Sequence, residues 1–351
     1  MNETTDNPLD LFRLDDRLIV ITGASEGIGR AFAEAYARAG ANIVLVSRRR
    51  EKLEEVRAAI ASRGGKAEIV TADVRDVDQI LALGQAVRSL AQRDDRKLVL
   101  VNNAGFGFTK PIAEVTEKDW NALFDTHAKG AFFCSQQIGA LMIERGYGKI
   151  INMSSTWSLA TEAGKSVYCA AKGAVSQLTA SLSTEWAPLG VRVNALAPAA
   201  TTTDSANERI AKEPARFEHI LRRIKLGHFA KPSDLVGSAI YLASGASDFV
   251  TGQTLFVDGG FTTAHRAFHR SLVAACGSSY LVAMDEHLFD AADRYRHLSR
   301  RSALSGTAAR PDQHPAIMQA VLDRDGSKAV ALLQAHYRRT SDHGLEELTR
   351  S

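Results

Sequence analysis

Along the first 262 residues short apolar runs alternate with longer stretches in which apolar positions recur every three or four residues. The runs Leu18–Thr22, Asn42–Val46, Ala67–Thr71, Leu98–Val101, Ile150–Met153 and Thr254–Val257 read as buried strands. Between them, helical periodicity covers Arg30–Ala39, a stretch ending near Ser62, Trp120–Gln137, an alanine-rich segment opening at Tyr168, Asn207–Arg223 and Ser233–Ser244. Regular strand-helix alternation predicts an α/β fold, a doubly wound parallel sheet of Rossmann type, with ligands at the carboxyl ends of the strands. From Thr263 the pattern changes to helix alone: Thr263–Cys276, Ser279–Arg301, Pro315–Asp323 and Ser327 to about Thr349. Two domains are therefore expected, 1–262 and 263–351.

Composition narrows the class without naming a chemistry. The chain has 351 residues and is 45% hydrophobic, enough for a full core and long for one domain. No apolar run approaches the roughly 20 residues that span a bilayer, and Met1–Asp10 lacks the form of a signal peptide. Three scattered cysteines, Cys134, Cys169 and Cys276, suit a reducing cytoplasm better than a disulfide framework. The formal charge of +3 is nearly balanced and the basic residues form no block, so nothing calls for a nucleic-acid partner.

The chemistry gathers at strand ends. Leu18–Thr22 runs into Gly23-Ala-Ser25-Glu-Gly27-Ile28-Gly29 and then a helix. Strand, glycine turn and helix in that order bring backbone N–H groups and a positive helix terminus to one place, which suits a pyrophosphate. The second strand ends in Ser47-Arg48-Arg49-Arg50. An acid at this strand end bonds a ribose 2′-hydroxyl, whereas Arg accommodates a 2′-phosphate; Ser47 followed by Arg48 therefore favours NADP(H) over NAD(H). Glu26, negative and inside the turn, pulls the other way, and Arg49 and Arg50 read as a solvated helix start. Asp73 and Val74 are placed to border an adenine pocket, and Asn103-Ala104-Gly105 let the backbone approach a ligand closely.

After the fifth predicted strand come Ser155 and then Tyr168-Cys-Ala-Ala-Lys172. Residues four apart share a helix face, so the Tyr168 hydroxyl and the Lys172 ammonium converge. A phenol is a poor base near neutrality unless a cation favours its ionised form, which Lys172 could supply. Ser155 could hold an oxygen that is a carbonyl in one direction and an alcohol in the other. Alone, such a pair is common in helices where the tyrosine packs and the lysine is solvated.

As a set, Thr22-Gly-x-x-x-Gly-x-Gly29, Asn102-Asn-Ala-Gly105, Ser155, Tyr168-x-x-x-Lys172, Asn194-x-x-x-Pro198 and Gly252-Gln-x-x-x-x-Asp258-Gly-Gly260 resemble the short-chain dehydrogenases/reductases over about Leu9 to Thr262. Leu9-Asp-Leu-Phe-Arg-Leu, Ser183-Thr-Glu-Trp-Ala and Asp248-Phe-Val-Thr-Gly-Gln253 are most similar to the gluconate 5-dehydrogenase branch, which interconverts keto and hydroxy sugar acids. The resemblance implies that Tyr168 is the acid/base, that Lys172 lowers its pKa and holds the nicotinamide ribose, and that Ser155 positions a small-molecule substrate. It also implies Thr201 as a cofactor contact, a lid over Thr201–Leu226, and a homo-oligomer. On that lid Arg209, Arg216, Arg222, Arg223 and Lys225 either meet a carboxylate or stay solvated. Two positions depart from the family. His127 stands where the family has a catalytic Asn that supports a relay water, and either supports that water or obstructs it. Ala199 follows Pro198 where the family has Gly, so its methyl either shifts the cofactor or is absorbed by a changed φ.

Seven of the ten histidines fall after Thr262. Phe268–Gly277, Gln313–Ala320 and Ala329–His336 resemble the later helices of the FCD ligand-binding domain of GntR-type regulators, with its first helices and any DNA-binding segment missing. That family binds a divalent metal, and His265, His269, His314 and His336 occupy the corresponding places; imidazoles suit Zn or Ni. The leading expectation is an NADP-dependent oxidoreductase acting on a secondary alcohol or ketone. The alternative is a catalytically weak nucleotide-binding sensor or scaffold whose tail binds metal or a carboxylate.

Overall fold

The computed structural model describes residues 7–262 and, beyond them, only positions 316, 319, 325, 327, 328, 331, 332, 334 and 335. The chain divides into two compact units, Met1–Thr262 and Thr263–Ser351. The four tail histidines His265, His269, His314 and His336 lie outside the described residues. Among the described residues no group of three or more His, Cys, Asp or Glu is placed to hold a metal, and no helix is long and apolar enough to cross a membrane.

Seven strands form one parallel sheet: β1 (Arg17–Thr22), β2 (Asn42–Ser47), β3 (Lys66–Thr71), β4 (Lys97–Asn102), β5 (Gly148–Met153), β6 (Val191–Pro198) and β7 (Thr254–Val257), in the order β3-β2-β1-β4-β5-β6-β7. The inner strands β1 and β5 are buried at every position, which explains their unbroken apolar runs: a parallel sheet covered on both faces has no solvent side. Helices α1 (Gly27–Arg38), α2 (Arg50–Ala61) and α9 (Pro232–Ala243) cover one face around Phe32, Tyr36 and Leu235. Helices α3 (Val77–Asp94), α5 (Gly130–Glu144) and α6 (Ser166–Trp186) cover the other around Leu83, Ile138 and Trp186. The chain leaves β1 toward β2 and β3, then crosses back to β4 on the other side of β1. This reversal opens a crevice outside the carboxyl ends of β1 and β4, the usual ligand position in such sheets.

Three predicted elements change. Strand β6 was not predicted, because Arg192 and Asn194 interrupt its apolar run; Asn194 is accommodated because its Nδ2 donates to the Val250 carbonyl at 2.8 Å and its Oδ1 accepts the Gln253 N–H at 3.0 Å. The single helix predicted over Trp120–Gln137 is instead α4 (Glu117–Phe124), a π turn over Asp125–Lys129, and α5. The helix predicted over Asn207–Arg223 is two, α7 (Asp204–Lys212) and α8 (Pro214–Arg223). The break is at Glu213, which precedes Pro214 and has φ −131° and ψ 56°, the residue before proline being kept out of helical conformation.

Candidate active site

All seventeen site residues predicted within residues 7–262 line one cavity of about 710 Å³ at the carboxyl ends of the strands. Its floor begins at the turn between β1 and α1. Gly23 and Gly27 have φ of 68° and 55°, and a Cβ on Gly29 would lie 2.3 Å from the Gly23 carbonyl oxygen. Side chains at these places would close the space over the N-terminus of α1, so the turn keeps an open cradle for an anion. Asn103 locks it to β4, its Nδ2 donating to the carbonyls of Thr22 at 2.9 Å and Gly23 at 3.2 Å.

At the end of β2 Arg49 is exposed at the start of α2, as its solvated reading expects, but it has partners. Its guanidinium turns back into the glycine turn, donating to Ser25 Oγ at 2.9 Å and lying 2.8 Å from the Glu26 carboxylate. Glu26 is thereby offset, and Arg49 links two serines, its guanidinium donating to Ser25 and its backbone N–H to Ser47 Oγ at 3.2 Å. Arg48 approaches Asp73 at 3.7 Å, while Arg75 grips Asp73 at 2.6 Å and holds its carboxyl below the usual range. The combination fits a cofactor carrying a phosphate on its adenine ribose, since donors and cations converge there while the acids are already paired.

The reacting end is built on β5 and α6. Ser155 is 6% exposed; its Oγ accepts the Trp157 N–H at 3.2 Å, which leaves its O–H to donate toward the Tyr168 oxygen. Tyr168 and Lys172 share a face of α6, with Lys172 Nζ 5.7 Å from the centre of the Tyr168 ring. Lys172 is buried and donates to the Met153 carbonyl at 2.6 Å; burial pushes its pKa down to about 7. Burial also raises the Tyr168 phenol, and the groups opposing that rise are the Ser155 hydroxyl and Arg209, with Lys172 absent from them. The same low-dielectric surroundings raise the phenol and remove charge from the amine.

The π turn places His127 edge-on to Tyr168, ring centres 5.5 Å apart, and its Nε2 meets the Phe106 carbonyl at 2.7 Å. A Cβ on Gly105 would sit 2.5 Å from this imidazole, so Gly105 is the gap that admits the larger ring. Burial first, and the nearby Lys172 second, push the His127 pKa down to about 3, so it is neutral at physiological pH.

Set against known proteins, residues 23–262 match the family model described as Enoyl-(Acyl carrier protein) reductase. The chain belongs to the short-chain dehydrogenases/reductases. Residues 253–339 match the FCD domain. Gluconate 5-dehydrogenase of Gluconobacter oxydans (strain 621H) is 37% identical over 254 residues, 72% of this chain and 97% of that protein. Galactitol 2-dehydrogenase (L-tagatose-forming) of Cereibacter sphaeroides is 35% identical over 258 residues, 72% of this chain and 97% of that protein. The solved gluconate 5-dehydrogenase of Burkholderia cenocepacia J2315, in complex with NADP and tartrate, is 38% identical with a TM-score of 0.69, covering 74% of this chain and 100% of its own.

Within this dehydrogenase the second departure from the family has a plain outcome. Ala199 needs no altered φ, since Asp95 is the one non-glycine described residue with positive φ. Its methyl joins the apolar cluster of Phe217, Ile220, Ile224 and Phe261 against α8. Among the lining residues that sequence reasoning missed is Lys165, which sits at the N-cap of α6, three positions before Tyr168, with its Nζ 5.5 Å from the Tyr168 ring centre. The spacing Lys165, Tyr168, Lys172 was the available signal.

Proposed function

We propose that residues 1–262 are an NADP(H)-dependent dehydrogenase interconverting a secondary alcohol and a ketone on a sugar acid, with residues 263–351 a separate FCD-like unit. The observation that carries this reading is the convergence of Ser155, Tyr168 and Lys172 on one cavity with the glycine cradle and the Ser25–Ser47–Arg49 cluster. Relatives named for gluconate and galactitol support a polyhydroxylated substrate, and solved relatives holding NADP support the cofactor.

In the oxidising direction Ser155 donates its hydroxyl hydrogen to the substrate oxygen and fixes it beside Tyr168. Tyr168, as phenolate, takes the proton of the alcohol as the C–O bond becomes C=O; in reduction its O–H returns that proton. NADP, when bound, supplies the acceptor or donor of the hydride that leaves or joins the same carbon. Lys172 stabilises the phenolate when it carries charge, and its fixed bond to the Met153 carbonyl orients the ammonium. Neutral His127 packs against the Tyr168 ring and restrains it.

The test is turnover of a panel of hydroxy sugar acids with NADP+. The expected result is measurable oxidation by the full chain and a loss on the order of 10²–10⁴ in kcat for Tyr168→Phe, the range for removing a positioned acid/base. Equal rates in the two proteins would refute the assignment.

A further inference from the structure

The lid side of the cavity holds two cations that form no ion pair with a carboxylate among the described residues. Lys165 is 7% exposed; its ammonium donates to the Phe108 carbonyl at 2.8 Å and, among the described residues, has no carboxylate within 4.0 Å. Arg209 on α7 lies across Gly107 from the Tyr168 ring: a Cβ on Gly107 would be 3.3 Å from Tyr168 and 3.8 Å from Arg209 Nη1. Arg209 donates to the backbone carbonyls of Gly107 at 3.4 Å and Ser205 at 3.2 Å, and among the described residues it too lacks a carboxylate partner. Arg216 on α8 contrasts with both. It is held by Glu162 at 2.7 Å and Glu213 at 2.8 Å, and it also bonds Thr109. Three cations therefore share two carboxylates, leaving one positive charge in excess beside the reacting hydroxyl. Asp204 and Glu208 also line the cavity, but both are exposed and neither acts on Lys165.

A cation taken out of water without a counter-ion is costly, and stability alone would favour an apolar residue there. The arrangement becomes favourable when a ligand brings the missing anion. Resting on the function proposed above, we infer that Lys165 and Arg209 form the subsite for the substrate's carboxylate, making the enzyme select sugar acids over neutral polyols, while Arg216 fastens the lid. Geometry supports the placement: Lys165 lies 5.5 Å from the Tyr168 ring centre, Arg209 meets the Gly107 backbone beside that ring, and Ser155 lines the same cavity. Burial first, and then Arg216 and Arg209, depress the Lys165 pKa to about 8, while Glu162 and Glu213 oppose them. The ratio of acid to polyol turnover is thus expected to weaken as pH rises past about 8, whereas titration of Lys172 acts on both substrates alike and cancels in that ratio.

The experiment compares D-gluconate with D-glucitol, which differ in one carboxylate, using the full chain and NADP+. The expected ratio of kcat/KM for acid over polyol is at least about tenfold, falling toward unity in Lys165→Met and in Arg209→Met, the loss of a charge-assisted hydrogen bond. Arg209→Lys should restore much of the ratio, and Lys212→Met, an exposed cation on the same helix, should keep it. Lys165→Gln serves if Lys165→Met does not fold. A wild-type ratio near one, or a ratio kept in both variants, overturns the proposal. So does an NADPH dissociation constant that worsens in step, since the cations would then serve the cofactor. If wild type oxidises neither compound, the proposed function fails on its own, and the subsite is judged by calorimetric binding of tartrate to the NADP-loaded protein. Binding lost in Lys165→Met upholds it; binding unchanged rejects it.

Discussion

Two buried lysines flank one tyrosine ring, and their surroundings differ. Lys172, 5.7 Å from the Tyr168 ring centre, sits at the sheet end against Met153; Lys165, 5.5 Å from it, sits under the lid against Phe108. Both have one backbone carbonyl, and burial depresses both, to about 7 and about 8. Around Lys172 the further neighbours are the neutral His127 and the ring it serves. Around Lys165 are two arginines and two carboxylates that leave charge over. A buried amine can therefore be tuned for proton chemistry or held ready for an anion, and what decides is the charge of its second neighbours rather than its own burial.

The sharpest way to break this comparison is to remove each amine in turn. Lys172→Met is expected to lower kcat by about 10²–10³ for gluconate and glucitol alike, because the phenolate loses its cation whatever the substrate carries. Steady-state kinetics on both compounds checks it; a loss confined to gluconate would mean that the two lysines share one role. A smaller effect belongs to the opposite end of the cavity. Replacing Arg48 and Arg49 together by Gln should raise KM for NADP+ roughly tenfold or more while leaving KM for NAD+ nearly unchanged, since only the first carries the extra phosphate. Paired titrations with the two nucleotides decide it, and an equal rise for both would place those arginines on the pyrophosphate.

The last expected effect is on stability and concerns the histidine behind the ring. Its folded pKa of about 3 lies below the ordinary 6.5, so between these values the unfolded chain binds the extra proton. Stability from this group is complete above about 6.5 and is lost as pH falls toward 3, by up to about 1.4 kcal/mol per pH unit. His127→Asn should therefore flatten the fall of Tm between pH 7 and pH 4. Parallel curves for the two proteins would show that His127 titrates freely.

Much of this was legible from the chain alone. The runs of β1, β2 and β4 are apolar because both faces of the sheet are covered, and Gly23, Gly27 and Gly29 stand where only a missing Cβ keeps the turn open. The β6 strand was missed because its polar residues find partners on the segment around Val250 to Gln253, far along the chain. Arg49 looked solvated because the partners that claim it, Ser25 and Glu26, belong to the preceding strand-helix turn. His127 drew notice as a departure, but its tolerance depends on Gly105, a neighbour in space alone.

Local spacing determined the fold, the family and the ring of residues at the strand ends, because hydrophobic period and glycine placement act through the nearest few residues. The charge state of Tyr168, Lys172, Lys165 and His127 was decided only in three dimensions. Desolvation and Coulomb forces depend on what surrounds a group in space, and for these four the deciding neighbours come from separate segments of the sequence.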